Sequence, residues 1–258
     1  MRKWQTTAFA ALFTALGTLP ALADVHVMSS GGFTAAYKDL LSACEAKVGQ
    51  PIKSAYGASM GAAPDAIPNR LQRGEPADVL IMAAESLDKL AAEGKTIPGT
   101  RVDLARSVIG LSVKTGAPKP DISTVAALKT TLLAAHSIAY SASASGTYLS
   151  KELFPKLDED GKIMAKARKI FSERVGTVVA RGDAELGFQQ VSELVPIAGL
   201  DYVGPLPAEV QRVTIFSAGV AAGSKEPDAA KQLIACLASP EAAPVITKTG
   251  LEPIPAKN

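Results

Sequence analysis

Strand-like and helix-like patterns alternate along this chain, and no other feature narrows its possible folds as far. V-H-V-M (25–28) reads as a short strand, after which Phe33, Tyr37, Leu40, Leu41, Cys44 and Val48 recur at helical spacing. P-I-K-S-A-Y (51–56) is a second strand, followed by a Gly/Ser loop and a helix near 64–73. A-D-V-L-I-M (77–82) has the unbroken apolar run of a buried strand, with a helix over 85–93. Strands that alternate with helices predict βαβ units and a parallel sheet.

The pattern continues with two longer strands. R-S-V-I-G-L-S-V-K (106–114) precedes the turn G-A-P-K-P, and V-T-I-F-S-A-G-V-A (213–221) comes about a hundred residues later. Between them, Ser123 is the expected cap of a helix running to about Ala135, and Ser137 to Ser141 is a strand. Helices are predicted from about Thr147 to Lys156, over 159–169 and over 173–181, then strands A-E-L-G-F-Q (184–189) and D-Y-V-G (201–204). Helices near 226–238 and 240–249 close the chain. If both long strands cross between lobes, residues 24–105 and 218–258 form one lobe, residues 106–217 form a second inserted into it, and a cleft separates them.

The first 23 residues read as a secretory signal. Arg2 and Lys3 precede a short apolar run, Ala8 to Leu19, and Ala21-Leu22-Ala23 is a small-x-small cleavage site. The run is shorter than the ~20 residues a membrane span needs, so the expectation is a periplasmic protein starting at Asp24. Without Arg2 and Lys3, the 27 basic residues fall to 25 and balance the 25 acidic ones. No basic tail or Lys/Arg run is present, which argues against nucleic-acid or anionic-membrane partners. Cys44 and Cys236 each sit in an apolar helical stretch, so two separate buried thiols are expected, with a disulfide as the alternative that export permits.

Ligands of open parallel sheets bind beyond the carboxyl ends of strands. Four segments qualify: S-S-G-G-F (29–33), G-A-S-M-G (57–61), S-A-S-A-S-G-T (141–147), and Glu173-Arg174-Val175 together with G-F-Q-Q (187–190). Three of these loops are rich in Gly and Ser and are expected to run straight into helices. They would offer backbone N–H groups, hydroxyl donors and the positive end of a helix dipole, a set suited to a small anion. The candidate binding residues are Gly31, Gly32, Ser59, Met60, Ser143, Ser145, Gly146, Arg174 and Gln190. No G-x-S-x-G elbow, P-loop or dinucleotide fingerprint occurs, and His26 and His136 both read as structural. No cofactor or metal site is expected from so few His and Cys.

These loops resemble those of the periplasmic molybdate-binding proteins, a branch of the type II solute-binding proteins, over essentially the whole mature chain. The signs are S-A-Y-G-A-S, R-G-E-P-A-D-V-L-I-M-A and A-E-L-G-F, with R-G-E-P-A-D-V the most specific. The resemblance implies an α/β fold of two lobes, two crossover strands and an interlobe cleft. It places Ser59 at a serine donor, and Ser145 and Arg174 or Val175 at backbone amides that hold an oxyanion. Two donors differ: Gly32 stands at the family's first-loop serine and Gln190 at its tyrosine. S-G-G-F, S-M-G, S-A-S-G and G-F-Q-Q resemble instead a sub-branch represented by bacterial aconitate isomerases, which implies a tricarboxylate ligand. Arg forks suit carboxylates, and Arg70, Arg106, Arg174 and Arg181 are the candidates.

Two functions follow from that resemblance. An isomerase would move a proton between two carbons of cis- or trans-aconitate and needs a base, for which Asp65, Tyr148 and Glu173 are the candidates beside the loops. A binding protein would need only the donors, and would hand molybdate or another small anion to an ABC transporter permease. A monomer is the state this scaffold implies.

Overall fold

The apolar run Val79–Ala83 is buried at every position, the mark of a strand covered on both faces. It lies inside a six-stranded sheet of the computed structural model, which describes residues 23–171 and 173–255. Of the expected signal segment only Ala23 falls within the described residues. In chain order these form β1 (Val25–Ser30), α1 (Gly31–Val48), β2 (Ile52–Gly57), α2 (Ile67–Gln72), β3 (Val79–Ala83), α3 (Ala84–Ala92), β4 (Val102–Ser107) and β5 (Ile109–Lys114). Next come α4 (Val125–Ala134), β6 (Ile138–Ser141), α5 (Ala144–Tyr148), α6 (Phe154–Leu157), α7 (Lys162–Ala165), β7 (Ala167–Ile170), α8 (Val175–Arg181), β8 (Leu186–Gln190) and α9 (Val191–Leu194). β9 (Leu200–Pro205), β10 (Thr214–Val220), α10 (Pro227–Leu237), α11 (Ala243–Lys248) and β11 (Glu252–Pro253) follow.

Two sheets result. The first has the order β11-β4-β10-β3-β1-β2 and the second β7-β6-β8-β5-β9. β1 pairs in parallel with β2 and β3, and β6 with β7 and β8, so the carboxyl ends of these strands carry the loops between the sheets. Each sheet has its own core: Phe33, Tyr37, Ile81 and Leu233 belong to the first, Leu111, Leu128, Phe154 and Phe188 to the second.

The chain crosses between the sheets twice. The stretch expected as one strand over 106–114 is two strands, β4 in the first sheet and β5 in the second, broken at Val108. Val108 does not continue either ladder; its carbonyl accepts from Val191 N at 3.0 Å. The return runs through 206–213, where Gln211 grips Ile109 from the side. Its Oε1 accepts from Ile109 N at 2.9 Å and its Nε2 donates to Ile109 O at 3.0 Å. The two crossover segments are thereby held side by side.

Other expectations are corrected. The stretch 159–169 is not one helix: a single turn, α7, is followed by β7, an edge strand made by its pairing with β6. Thr124, not Ser123, caps α4, its hydroxyl accepting from Ala127 N at 3.1 Å. The helix expected from Thr147 starts at Ala144, inside the serine loop, and passes through a π-helical turn, Leu149–Leu153, into α6. Pro155 in the first turn of α6 lacks the N–H an α-helix would use, which accounts for the widened turn before it. The cysteines are not separate thiols. Cys44 on α1 and Cys236 on α10 form a disulfide with Cα atoms 5.7 Å apart, because the two helices pack together over the first sheet.

Asp78, within R-G-E-P-A-D-V, is a structural anchor of the first sheet. Its carboxylate is buried and accepts from His26 N (2.7 Å), Ser224 Oγ (2.7 Å), Lys225 N (2.9 Å) and Glu226 N (3.2 Å). It ties β1, β3 and the entry of α10 together, at the end of the sheet away from the cleft.

Candidate functional site

A cavity of about 280 Å³ lies between the two sheets, near the lower end of the ~300–1,000 Å³ usual for small-molecule sites. The first sheet contributes the end of β1 with the start of α1, and the loop after β2. The second contributes the β6–α5 loop, the approach to α8, and the end of β8 with α9.

The hydroxyls on its walls are largely uncommitted. Ser30 stands at the N-cap of α1 without capping it; its Oγ is buried and has no partner. Ser59 Oγ accepts from Ala83 N at 2.9 Å, which leaves its own proton available to donate. Ser141 and Ser145 share one hydrogen bond at 3.0 Å, so one of the two protons is also free. Gln190 Nε2 donates to Thr214 Oγ1 at 2.9 Å while its Oε1 is buried without a partner. Since Thr214 can accept or donate, a half-turn of the amide would present NH2 instead of oxygen.

Gly31, Gly32, Ser59, Ser143, Ser145, Arg174 and Gln190 all line this cavity, together with Asp65 and Glu173. Three of the residues expected there do not. Met60 and Tyr148 line an adjoining recess, on the other side of the β6–α5 loop. Gly146 packs instead against the end of β6: a Cβ there would lie 1.6 Å from Ser141 O, so glycine lets α5 seat on that strand. Gly32 lies under the Phe216 ring, which fills the space a side chain would need. The second loop does not run directly into α2, since residues 58–66 intervene. Val175 N is not free for an anion either, because it donates to Gln189 Oε1 at 2.9 Å.

The expected bases and cations divide just as clearly. Tyr148 OH donates to Val210 O at 2.8 Å, and burial raises its pKa. Glu173 is held in a fork by Arg181, which lowers its pKa. Of the four arginines only Arg174 lines the cavity. Arg70 is used by Glu75 and by the carbonyls of Asp65 and Tyr56, Arg106 by Glu252, and Arg181 by Glu173 and Asp183. Neither histidine reaches the cavity, and among the described residues no group of three His, Cys, Asp or Glu could hold a metal ion.

Sequence reasoning missed two charged residues here. Lys38 lines the cavity from α1, with Nζ 4.7 Å from the centre of the Tyr56 ring. Helical spacing from Gly31 through Thr34 to Lys38 could have found it. Glu193 lines the cavity from α9 and is buried, only 8% exposed. Burial pushes its carboxyl up to about 7, partly offset by the charge of Arg174 and a hydrogen bond from Gln189. It stands three residues beyond Gln190, just past the strand-end segment singled out from the sequence.

The sequence pattern of the bacterial extracellular solute-binding proteins matches residues 25–252. The chain belongs to that family. The family member is also 48% identical over 255 residues to an aconitate isomerase of Pseudomonas sp., a match covering 98% of this chain and 97% of that one. Among solved structures, its fold is similar to the periplasmic molybdate-binding protein of Azotobacter vinelandii (TM-score 0.68, 21% identity, 88% of this chain and 98% of that one). It is similar as well to the sulfate-binding protein SubI of Mycobacterium tuberculosis (TM-score 0.66, 17% identity, 90% and 87%). At such identities these structures establish the two-lobed fold. Among the described residues no helix is long and apolar enough to cross a membrane.

Proposed function

We propose that this protein is an exported aconitate isomerase that binds the tricarboxylate between its lobes and moves a proton between two of its carbons. The observation that carries the reading is the 48% identity, over nearly the full length of both chains, to a protein named aconitate isomerase. The cavity is chemically compatible. Lys38 and Arg174 supply positive charge, and Ser30, Ser59 and the Ser141–Ser145 pair supply hydroxyl donors. The N-terminus of the 18-residue α1 adds a favourable dipole.

Aconitate carries a methylene that bears one carboxylate and adjoins the double bond, whose two carbons bear the other two carboxylates. Removing a methylene proton gives an allylic anion whose charge spreads onto the carboxylates. Fixed donors around those carboxylates lower the barrier by stabilising that charge. Return of the proton at the other end of the allyl system moves the double bond and interconverts the trans and cis acids. In this reading the segment 1–23 directs export and is removed, so the enzyme works in the periplasm.

Proton NMR of the mature chain (from Asp24) in D2O with excess trans-aconitate tests this. The expected result is appearance of cis-aconitate. Line broadening with neither isomerisation nor exchange would mean a passive carboxylate receptor, the role that calls for a transporter permease. An unchanged spectrum would return molybdate and related oxyanions to first place.

A further inference from the structure

We infer that Glu193 is the catalytic residue that carries the proton between the two allylic carbons, an inference that rests on the isomerase reading above. Three features of the site single it out. First, its carboxyl is buried yet reaches the cavity, and it forms no ion pair among the described residues. Every other acidic candidate is worse placed: Glu173 is locked to Arg181, and Asp65 is half-buried on the opposite, first-sheet wall. Second, room is reserved for it. Oε1 of Glu193 lies 1.8 Å from where a Cβ at position 31 would be, so any side chain at the start of α1 would force the carboxylate to swing out of this position. Third, that position sets the carboxylate beside Gly31 and the buried, unpartnered hydroxyl of Ser30, among the groups that would hold the substrate.

The step balances without a co-reactant. One oxygen of the Glu193 carboxylate takes a methylene proton; the C–H electron pair becomes the new C=C, and the former π pair takes the proton back at the far carbon. The carboxylate is regenerated, and nothing is oxidised or reduced. A single group that first accepts and then returns a proton works best with a pKa near the working pH, which the burial of Glu193 provides. The charged groups sharing its cavity are Lys38 from α1, Asp65 after β2, and Glu173 and Arg174 before α8. α8, β5, β8 and β9, which also pack against α9, contribute no charged side chain to the cavity.

The test compares wild type, Glu193→Gln, Glu193→Asp and Asp65→Asn in one exchange assay. Tricarballylate, the saturated analogue, reports binding by calorimetry. For E193Q we expect kcat to fall by ~10²–10⁴, the usual contribution of a general base, with analogue affinity within a few fold of wild type. E193D should retain part of the rate, and the wild-type kcat/KM limb near pH 7 should vanish from the residual E193Q activity. A residue serving only to pack against α1 would alter folding or affinity but not remove that limb. If wild type turns over and E193Q keeps more than a tenth of its rate, or if D65N alone abolishes exchange, the assignment to Glu193 is wrong while the isomerase reading stands. A wild type that neither exchanges nor isomerises aconitate overturns both. Should the position 193 variants fail to fold, carbon-13 NMR of glutamate-labelled wild type decides instead. A carboxyl titrating near neutrality must respond to tricarballylate, and an unresponsive one rejects the proposal.

Discussion

Replacing Glu193 by Gln should stabilise the protein, and by an amount that depends on pH. The carboxyl is moved by burial from its ordinary value of 4.5 to about 7. Between those two values the unfolded chain has released this proton while the folded protein still holds it. Raising the pH through that window therefore lowers stability, by ~1.4 kcal/mol for each pH unit separating the two values. The stability is fully present below pH 4.5 and lost as the pH rises through about 7, a total of about 3 kcal/mol. Glutamine keeps the shape and cannot ionise, so E193Q escapes the loss. Urea unfolding of both proteins from pH 4 to 8, with the disulfide intact and equal slopes, gives the difference directly. At pH 8 E193Q should be about 3 kcal/mol more stable, or roughly 6–12 °C higher in Tm for a chain of this size; at pH 4 the gap should have closed by the same amount. A gap that does not change with pH, or that widens on acidification, would refute the reasoning, because the carboxyl would then not be paying for its desolvation. Retention of a group that destabilises the fold at neutral pH is itself what a functional role predicts.

Three further outcomes are expected. Reducing the Cys44–Cys236 disulfide, which closes a separation of 192 residues, should cost about 5 kcal/mol by loop-entropy reasoning, seen as a lower urea midpoint with reductant present. An unchanged midpoint would mean that the packing of α1 on α10 suffices. Asp78→Ala strands three donors, while Glu226 N keeps Ser224 Oγ, and should destabilise by roughly 2–5 kcal/mol in the same assay. Burial works to raise the Asp78 carboxyl, but its hydrogen bonds outweigh that and hold it below 3.8, so its contribution is present above that value and lost as the pH falls through the lowered one. Gly31→Ala places a Cβ against the Glu193 carboxylate and should cut kcat/KM by roughly tenfold or more through misplacement, with circular dichroism unchanged; full activity would show that the carboxylate is free to move without consequence.

Most of what local pattern can encode was legible. The unbroken apolar run of β3, the helical repeat of α1 and the Gly/Ser strand ends all follow from side-chain periodicity and turn chemistry, which need only near neighbours. Two of the failures share one cause. β7 carries exposed Arg168 and Lys169 and is a strand only because β6 lies beside it. Val108 breaks a continuous β pattern because the two halves join different sheets, a fact that no window of ten residues contains.

The sequence by itself therefore determined the class of fold and which strand ends face the cleft, because these follow from local periodicity and the geometry of parallel sheets. Only the tertiary structure decided which groups meet there. It paired Cys44 with Cys236 and drew Tyr148 and Met60 out of the cavity. It tied Glu173 to Arg181, and it buried Glu193, from a distant part of the chain, against Gly31. Burial and charge neighbours set what a carboxyl can do, and both are properties of the packed molecule.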